Sequence, residues 1–259
     1  MAAKVIFLGN GLLADKALAV LERECQILCR ARRKEDLPEV VKLKKEHPEA
    51  KAVLASFGVM IPEEVLEAFE PEGILNIHPS PLPKYRGPSP IESAMIDGAV
   101  NFSVSVMKLA SAMDAGPVYH QETFRDLPLD KEAIYTRLAE AGAEWIVQNM
   151  ADLPEPKEQE EAEATYTTKL TKEMGVLEPE KDPAELVLRK IAAYAGYPRA
   201  KYAFWGVSCT VWKAHMLKTD EEAGLTIKCA DGALVAVDEV QPEGRKRMDA
   251  KSFLNGYKK

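Results

Sequence analysis

The chain has 259 residues, of which 46% are apolar and 29% charged, and it carries a net charge of −7. This length predicts two domains, and this composition is that of an ordinary globular protein rather than a disordered or fibrous one. The acidic balance argues against a general nucleic-acid binder, and no stretch reaches the ~18 apolar residues of a membrane span, so no membrane partner is expected.

The first 150 residues alternate between short apolar runs and amphipathic segments. Strands are predicted at 4–8, 25–30, 51–57, 73–77 and 102–109, and helices at 12–23, 38–46, 62–69, 90–97 and 131–148. Strands that alternate with helices predict an α/β fold with an open, mostly parallel, Rossmann-like sheet covered on both faces. We assign this domain to residues 1–152.

Residues 151–168 differ in composition from their surroundings, with one lysine against six acidic residues and few large apolar side chains. Such a segment predicts a linker, which we place at 153–170. A helix follows at 183–193, and then short β-like runs at 201–207, 209–216, 225–229 and 234–240. Short strands between Gly and Asp turns predict a small, OB-like β-barrel domain at 171–259.

The four cysteines show no CxxC spacing and have no histidines nearby; they are Cys25, Cys29, Cys209 and Cys229. Because the N-terminus also lacks the pattern of a secretory signal, we expect idle thiols in a reducing compartment and a cytoplasmic protein. No cluster of metal-ligand residues is evident, so no metal is expected.

A glycine motif at 9–14 (GNGLLA) follows the first strand and opens a helix. It fits the dinucleotide fingerprint, in which glycines allow the backbone to approach a pyrophosphate. The acidic residue expected about 20 positions later is replaced by Arg30, Arg32 and Arg33, which would suit a 2′-phosphate. An NADP-dependent oxidoreductase is therefore one hypothesis, and a tight turn without a cofactor is the other.

Polar residues gather where the fourth strand ends. Asn76 and His78 lie two positions apart, so their side chains project to the same side, and the carboxyl edge of such a sheet is where ligands bind. Asp114 stands in a later loop rich in glycine and proline. A single histidine here is more often structural, and a single aspartate is more often a turn residue. Their occurrence together favours a catalytic site.

Two segments then resemble a known family. NIHPSPLPKYRG at 76–87 and MDAGP at 113–117 resemble, in order and spacing, the folate-dependent formyltransferases. FGVMIP at 57–62 stands where that family lines its folate pocket. Segments at 164–178, 211–214 and 240–248 resemble the linker and C-terminal barrel of the members that act on methionyl-tRNA.

The resemblance implies formyl transfer from 10-formyltetrahydrofolate to an amine, without a metal. Asn76 and His78 would stabilise the oxyanion of a tetrahedral intermediate, and Asp114 would favour the charged imidazole or accept the proton of the amine. By the same resemblance the folate would contact Phe57, Gly58, Ile61, Ser80, Pro81, Leu82 and Pro83.

The implied acceptor is initiator methionyl-tRNA, bound by a monomer. The residues from 169 onward include 16 basic and 13 acidic side chains, whereas the rest of the chain is acidic. Basic residues supply most of the affinity for nucleic acid, and the candidates are Arg30, Arg32, Arg33, Lys34, Arg245, Lys246 and Arg247. The alternative is that these residues are ordinary solvated surface residues. Members that act on methionyl-tRNA insert a basic loop between Cys29 and Lys51, and this region is shorter here.

Three other interpretations stay open. The acceptor could be another amine, such as an amino-sugar nucleotide, or the glycine motif could define the oxidoreductase. A non-catalytic RNA-binding module is disfavoured, because it would have no use for Asn76, His78 and Asp114 together.

The chain also departs from the family pattern, since Pro81 replaces a leucine and Gly9-Asn10-Gly11 replaces a Gly-Thr-Pro-like turn.

Overall fold

The computed structural model describes residues 2–222 and 224–257, which divide into two units. The first contains the residues up to Ile91 together with Val100–Pro128 and Glu132–Thr168. The second contains Glu92–Ala99, Leu129–Lys131 and the residues from Lys169 onward. Among the described helices, none combines the length and the apolar character needed to cross a membrane.

A six-stranded sheet forms the centre of the first unit. Its strands are β1 Ala3–Gly9, β2 Cys25–Ala31, β3 Lys51–Ala55, β4 Ile74–His78, β5 Asn101–Lys108 and β6 Val118–Arg125. They lie in the order β2-β1-β3-β4-β5-β6, parallel from β2 to β4 and antiparallel from β4 to β6. The predicted fold class, an open and mostly parallel sheet, is confirmed, and β6 is an addition to the predicted strands.

Helices accompany these strands as predicted, and no helix end differs from its predicted position by more than two residues. They are α1 Leu12–Glu24, α2 Leu37–Glu46, α3 Glu63–Glu67, α4 Pro90–Asp97 and α5 Lys131–Asn149. α1 buries side chains at helical spacing, which are Leu13, Ala14, Ala17, Leu18, Val20 and Leu21. α5 approaches β4 so closely that a Cβ on Gly142 would lie 2.7 Å from Ile77. This close packing fixes β4, the strand that carries Asn76 and His78.

From Lys169 onward, the described residues of the second unit form five antiparallel strands and two α-helices. These are α6 Ala184–Ala193, β7 Lys201–Phe204, β8 Val207–Met216, β9 Thr226–Lys228, β10 Leu234–Pro242, β11 Met248–Asp249 and α7 Ala250–Tyr257. The order is β11-β10-β8-β7, with β9 paired to β10. Apolar side chains of both helices and of the strands share one buried core, among them Val187, Ile191, Val211, Val235 and Phe253. The predicted β-rich character is confirmed, and α7 is an addition.

The cysteine thiols are all free. Cys209 and Cys229 are buried in the second unit, and burial raises the pKa of Cys209 to about 11. A thiol with a raised pKa holds little thiolate at neutral pH, which makes it a poor nucleophile and a poor metal ligand. The expectation of idle thiols stays a prediction.

Residues 157–168, which we name the closing segment, lie within the predicted linker and belong to the first unit. Lys157 exchanges two backbone hydrogen bonds with Val118, at 2.7 and 2.8 Å. Further along, the Arg86 N–H donates to the Thr165 carbonyl at 2.9 Å, and the Thr167 N–H donates to the Arg86 carbonyl at 2.7 Å. The closing segment is therefore fastened to the loops that follow β4 and precede β6. The predicted boundaries 1–152, 153–170 and 171–259 stay a prediction of where the functional domains divide.

Candidate active site

The fourth strand carries two polar side chains into a cavity of the first unit. Asn76 and His78 are only 4% and 5% exposed, and both line a cavity of ≈ 280 Å³. Because they alternate with the buried Ile77, they share one side of β4, as the spacing predicts. Burial of two polar groups at a strand end, open to a cavity, provides fixed hydrogen-bond donors for a ligand.

The imidazole of His78 lies between a carbonyl and a carboxylate. Its Nε2 is 3.1 Å from the carbonyl oxygen of Tyr85, which can only accept, so Nε2 carries a proton and donates. Its Nδ1 is 3.7 Å from Oδ1 of Asp114, beyond hydrogen-bond length. The Nδ1 edge of the ring thus faces the Asp114 carboxylate.

Asp114 occupies a constrained loop. Its backbone has a φ of +49°, which L-residues rarely adopt, and its Oδ2 accepts the Gly87 N–H at 2.7 Å. Position 116 requires glycine, because a Cβ there would lie 2.0 Å from the Lys108 carbonyl oxygen. The loop between β5 and β6 therefore brings a carboxylate to His78, although 36 positions separate the two residues. All three predicted catalytic residues line the same cavity.

The predicted folate residues are only partly brought together. Phe57, Gly58 and Ile61 line the cavity, whereas the wall includes Pro79 but not 80–83. The loop 80–83 is instead held by its backbone, since the Ser105 hydroxyl donates to the Ser80 carbonyl at 2.7 Å and Gln121 donates to the Leu82 carbonyl at 2.9 Å.

Several wall residues were missed by sequence reasoning. Most of them are apolar, and they include Leu13, Leu54, Leu109, Ala110, Met113 and Tyr135. Val59 and Met60, which lie in the FGVMIP segment that the resemblance places at the folate pocket, also line the cavity and are 43% and 56% exposed. An apolar wall with a few convergent polar groups is typical of a site for a flat organic ligand.

The predicted tRNA-binding residues of the first unit differ in side-chain exposure and in their ion pairs. Arg30 donates to the Gly9 carbonyl at 3.2 Å and pairs with Asp15 at 2.6 Å, and its side chain is only 15% exposed. Arg33 is 74% exposed and pairs loosely with Asp36 at 3.4 Å. Arg32 and Lys34 are also exposed. Arg30 is therefore a structural residue first, and its neighbours are surface residues.

In the second unit, the three predicted basic residues form an exposed group after β10. Arg245 and Lys246 are exposed, and Arg247 is paired with Glu239. The Arg247 guanidinium also lies 4.9 Å from the ring centre of Trp212. Arg199 lies 5.3 Å from the same ring. Two guanidinium groups against one indole create a local concentration of positive charge that the sequence did not reveal.

The glycine motif has a packing explanation. A Cβ on Gly9 would lie 2.3 Å from the Ala55 carbonyl oxygen and 2.8 Å from the Ala14 side chain. Gly11 precedes α1 with a φ of +85°. The two glycines thus allow β1, β3 and α1 to approach each other, and this requirement exists without any cofactor.

Comparison with known proteins gives matches over most of the chain. Residues 10–150 match the model of the family described as formyl transferase, and residues 169–258 match that of its C-terminal domain. Methionyl-tRNA formyltransferase of Dictyoglomus thermophilum is 34% identical over 225 residues, which are 80% of this chain and 71% of the relative. The enzyme of the same name from Thermus thermophilus is 35% identical over 83% of this chain and 73% of the relative.

A solved structure shares the fold. The crystal structure of HypX from Aquifex aeolicus in complex with tetrahydrofolic acid has a TM-score of 0.75 and 21% identity, over 99% of this chain and 47% of that one. None of these matches supports the oxidoreductase interpretation of Gly9 and Gly11.

Proposed function

This chain belongs to the formyl transferase family, and from that premise we propose that it transfers a formyl group from 10-formyltetrahydrofolate to the amino group of initiator methionyl-tRNA. The observation that carries the proposal is the meeting of Asn76, His78 and Asp114 at the cavity. The choice of methionyl-tRNA rests on the curated relatives, whose names state that acceptor and of which the chain covers 71% and 73%.

The residues account for each step of the transfer. The acceptor amine attacks the formyl carbon, and the carbonyl oxygen becomes an oxyanion that the Asn76 amide and the His78 imidazolium stabilise by donating hydrogen bonds. Asp114 accepts a proton from the attacking nitrogen. The bond between the formyl carbon and the folate nitrogen then breaks, and that nitrogen takes up the proton. The products are formyl-methionyl-tRNA and tetrahydrofolate, with no net change in redox state.

The cavity supplies the place for the folate. Its apolar wall, with Phe57, Gly58 and Ile61, suits a flat heteroaromatic ring. The tetrahydrofolic acid bound by HypX supports a folate donor for this fold. The loop 80–83 is proposed to act indirectly, by supporting Pro79 at the cavity wall.

The acceptor tRNA is proposed to contact exposed basic residues. Arg245 and Lys246 are the best candidates because their side chains are exposed, and because the residues from 169 onward include 16 basic and 13 acidic side chains. Arg32, Arg33 and Lys34 are candidates in the catalytic domain. Such contacts go to phosphates, and they position the acceptor without reading its sequence.

One experiment tests both halves of the proposal. The purified chain is incubated with 10-formyltetrahydrofolate and either initiator methionyl-tRNA or an amino-sugar nucleotide, and formylated product is measured by mass spectrometry. We expect formyl-methionyl-tRNA. Product on the sugar amine alone would overturn the acceptor and keep the chemistry, whereas product on neither would overturn the function assigned to Asn76, His78 and Asp114.

A further inference from the structure

We propose that Gln159 is a positioning residue that holds the Asp114 carboxylate at its working distance from His78. The inference rests on the proposed function, since it concerns the same site. Gln159 lies in the closing segment, which composition alone assigns to a linker, and its side chain reaches the loop between β5 and β6.

The Gln159 amide is fully used. Its Nε2 donates to the carbonyl oxygens of Asp114 and Gly116, at 2.8 and 2.7 Å. Its Oε1 accepts from Nε of Arg86 at 3.1 Å. One amide thus bridges the ends of the short turn that carries the carboxylate.

Arg86 fixes the orientation of that amide. A guanidinium can only donate, so the oxygen of Gln159 must face it and the two N–H groups must face the carbonyls. Arg86 is itself 1% exposed, and its Nη1 donates to Glu161 and to the Tyr166 hydroxyl. Both of those partners also belong to the closing segment. The amide therefore has one orientation, set by a buried and well-anchored charge.

Asp114 needs such a restraint. Its positive φ is unfavourable for a residue with a side chain, and nothing in its own sequence enforces it. Its Oδ2 accepts the N–H of Gly87, the residue next to Arg86. Arg86, Gln159, Asp114 and Gly87 thus form a closed ring of contacts between the two loops. Loss of the Gln159 donors would open this ring on the side of Asp114.

Isosteric replacement separates positioning from packing. Gln159→Glu keeps the size of the side chain and can still pair with Arg86, but it presents an oxygen to the two carbonyls in place of the donors. A residue needed only to fill space would tolerate this change. Gln159→Ala removes the contacts altogether, and Glu160→Ala is the matched control, because Glu160 is exposed in the same segment.

The test compares steady-state kinetics of these variants with methionyl-tRNA and 10-formyltetrahydrofolate. For Gln159→Glu and Gln159→Ala we expect kcat to fall roughly 100-fold, as for small misplacements of a reacting group, with both KM values within about twofold of wild type. Glu160→Ala is expected to keep wild-type constants. Amide-proton exchange at Gly87 should accelerate in the two Gln159 variants only, because its acceptor moves.

The inference is overturned if Gln159→Glu retains kcat, or if its loss of kcat is no larger than the fraction of unfolded chain in a thermal melt accounts for. An inactive wild-type chain would instead overturn the proposed function. In that case the Gly87 exchange still decides the inference, since unchanged exchange in Gln159→Glu means that the amide does not hold Asp114.

Discussion

In the proposed mechanism, two side chains on β4, Asn76 and His78, donate hydrogen bonds to one oxygen. Asn76→Ala and His78→Gln are each expected to lower kcat by about 10²- to 10³-fold, the usual cost of removing one donor to an oxyanion. Because both donors serve the same intermediate, the double variant is expected to lose less than the product of the single effects. Steady-state formylation of methionyl-tRNA measures all three variants.

Folate affinity provides the control for these variants. Both side chains are buried, so each variant is also checked by a urea titration, and its affinity for tetrahydrofolate is expected to stay near that of wild type. Near-normal turnover of His78→Gln would contradict the catalytic assignment, whatever the behaviour of Asn76→Ala.

At the scale of residues, the sequence predicts contacts between residues that are near each other in the chain, but not contacts between distant ones. Asn76 and His78 could be predicted as neighbours because side chains alternate along a strand. The approach of Asp114 depends on a loop conformation with positive φ, which spacing alone does not specify. Gln159 could not be predicted, because an acidic, proline-bearing segment has the composition of a linker whether or not it packs. Its role depends on the position of Arg86.

At the scale of elements, the turn between β1 and α1 distinguishes packing from cofactor binding. Gly9→Ala is expected to lower the free energy of unfolding by about 1–3 kcal/mol, because its Cβ would meet the Ala55 backbone. Gly11→Ala is the matched comparison: no heavy atom lies within 4 Å of its added Cβ, so only its positive φ costs stability, about 1 kcal/mol. Urea titrations of both variants measure the difference.

A fluorescence titration with NADPH completes the comparison. We expect no saturable binding to the wild-type chain. Tight binding that disappears in Gly9→Ala would contradict the packing explanation and restore the dinucleotide site.

Elements with a strong pattern could be predicted, and the others depend on tertiary contacts. The buried parallel strands are continuous apolar runs, which is why β1 and β3 were found within two residues of their ends. β6 has polar side chains along its length, so its sequence lacks the apolar run of a buried strand. Its backbone pairing with β5 stabilises it as a strand. The predicted strand 201–207 is in fact interrupted, because Trp205 and Gly206 both have positive φ and form the turn between β7 and β8.

At the scale of the whole molecule, the charge distribution predicts that binding of the acceptor tRNA weakens as the salt concentration rises. The KM for methionyl-tRNA is expected to rise with salt, and replacing both Arg245 and Lys246 with alanine is expected to raise KM and reduce the salt dependence by one to two phosphate contacts. Arg30→Ala is expected to affect KM less and stability more, because Arg30 is held by Asp15 and Gly9. Kinetics between about 50 and 200 mM salt measure these effects.

An unchanged KM in the Arg245→Ala, Lys246→Ala variant at every salt concentration would contradict a phosphate contact at this surface. The two-domain organisation itself follows from length and composition. The net charge of −7 alone would have hidden such a partner, because it averages an acidic N-terminal part with a basic C-terminal one.

The closing segment also bears on how this protein can be recombined. The family matches end at residue 150 and resume at 169, so residues 157–168 fall in the interval between them. A chimera joined at residue 150 would graft a foreign segment in place of Gln159 and Tyr166, while leaving β4 and its two donors untouched. Such a hybrid would keep its substrates and lose its turnover. On the proposed role of Gln159, the catalytic unit to be transplanted extends to Thr168, and an exchange of C-terminal domains should preserve that junction.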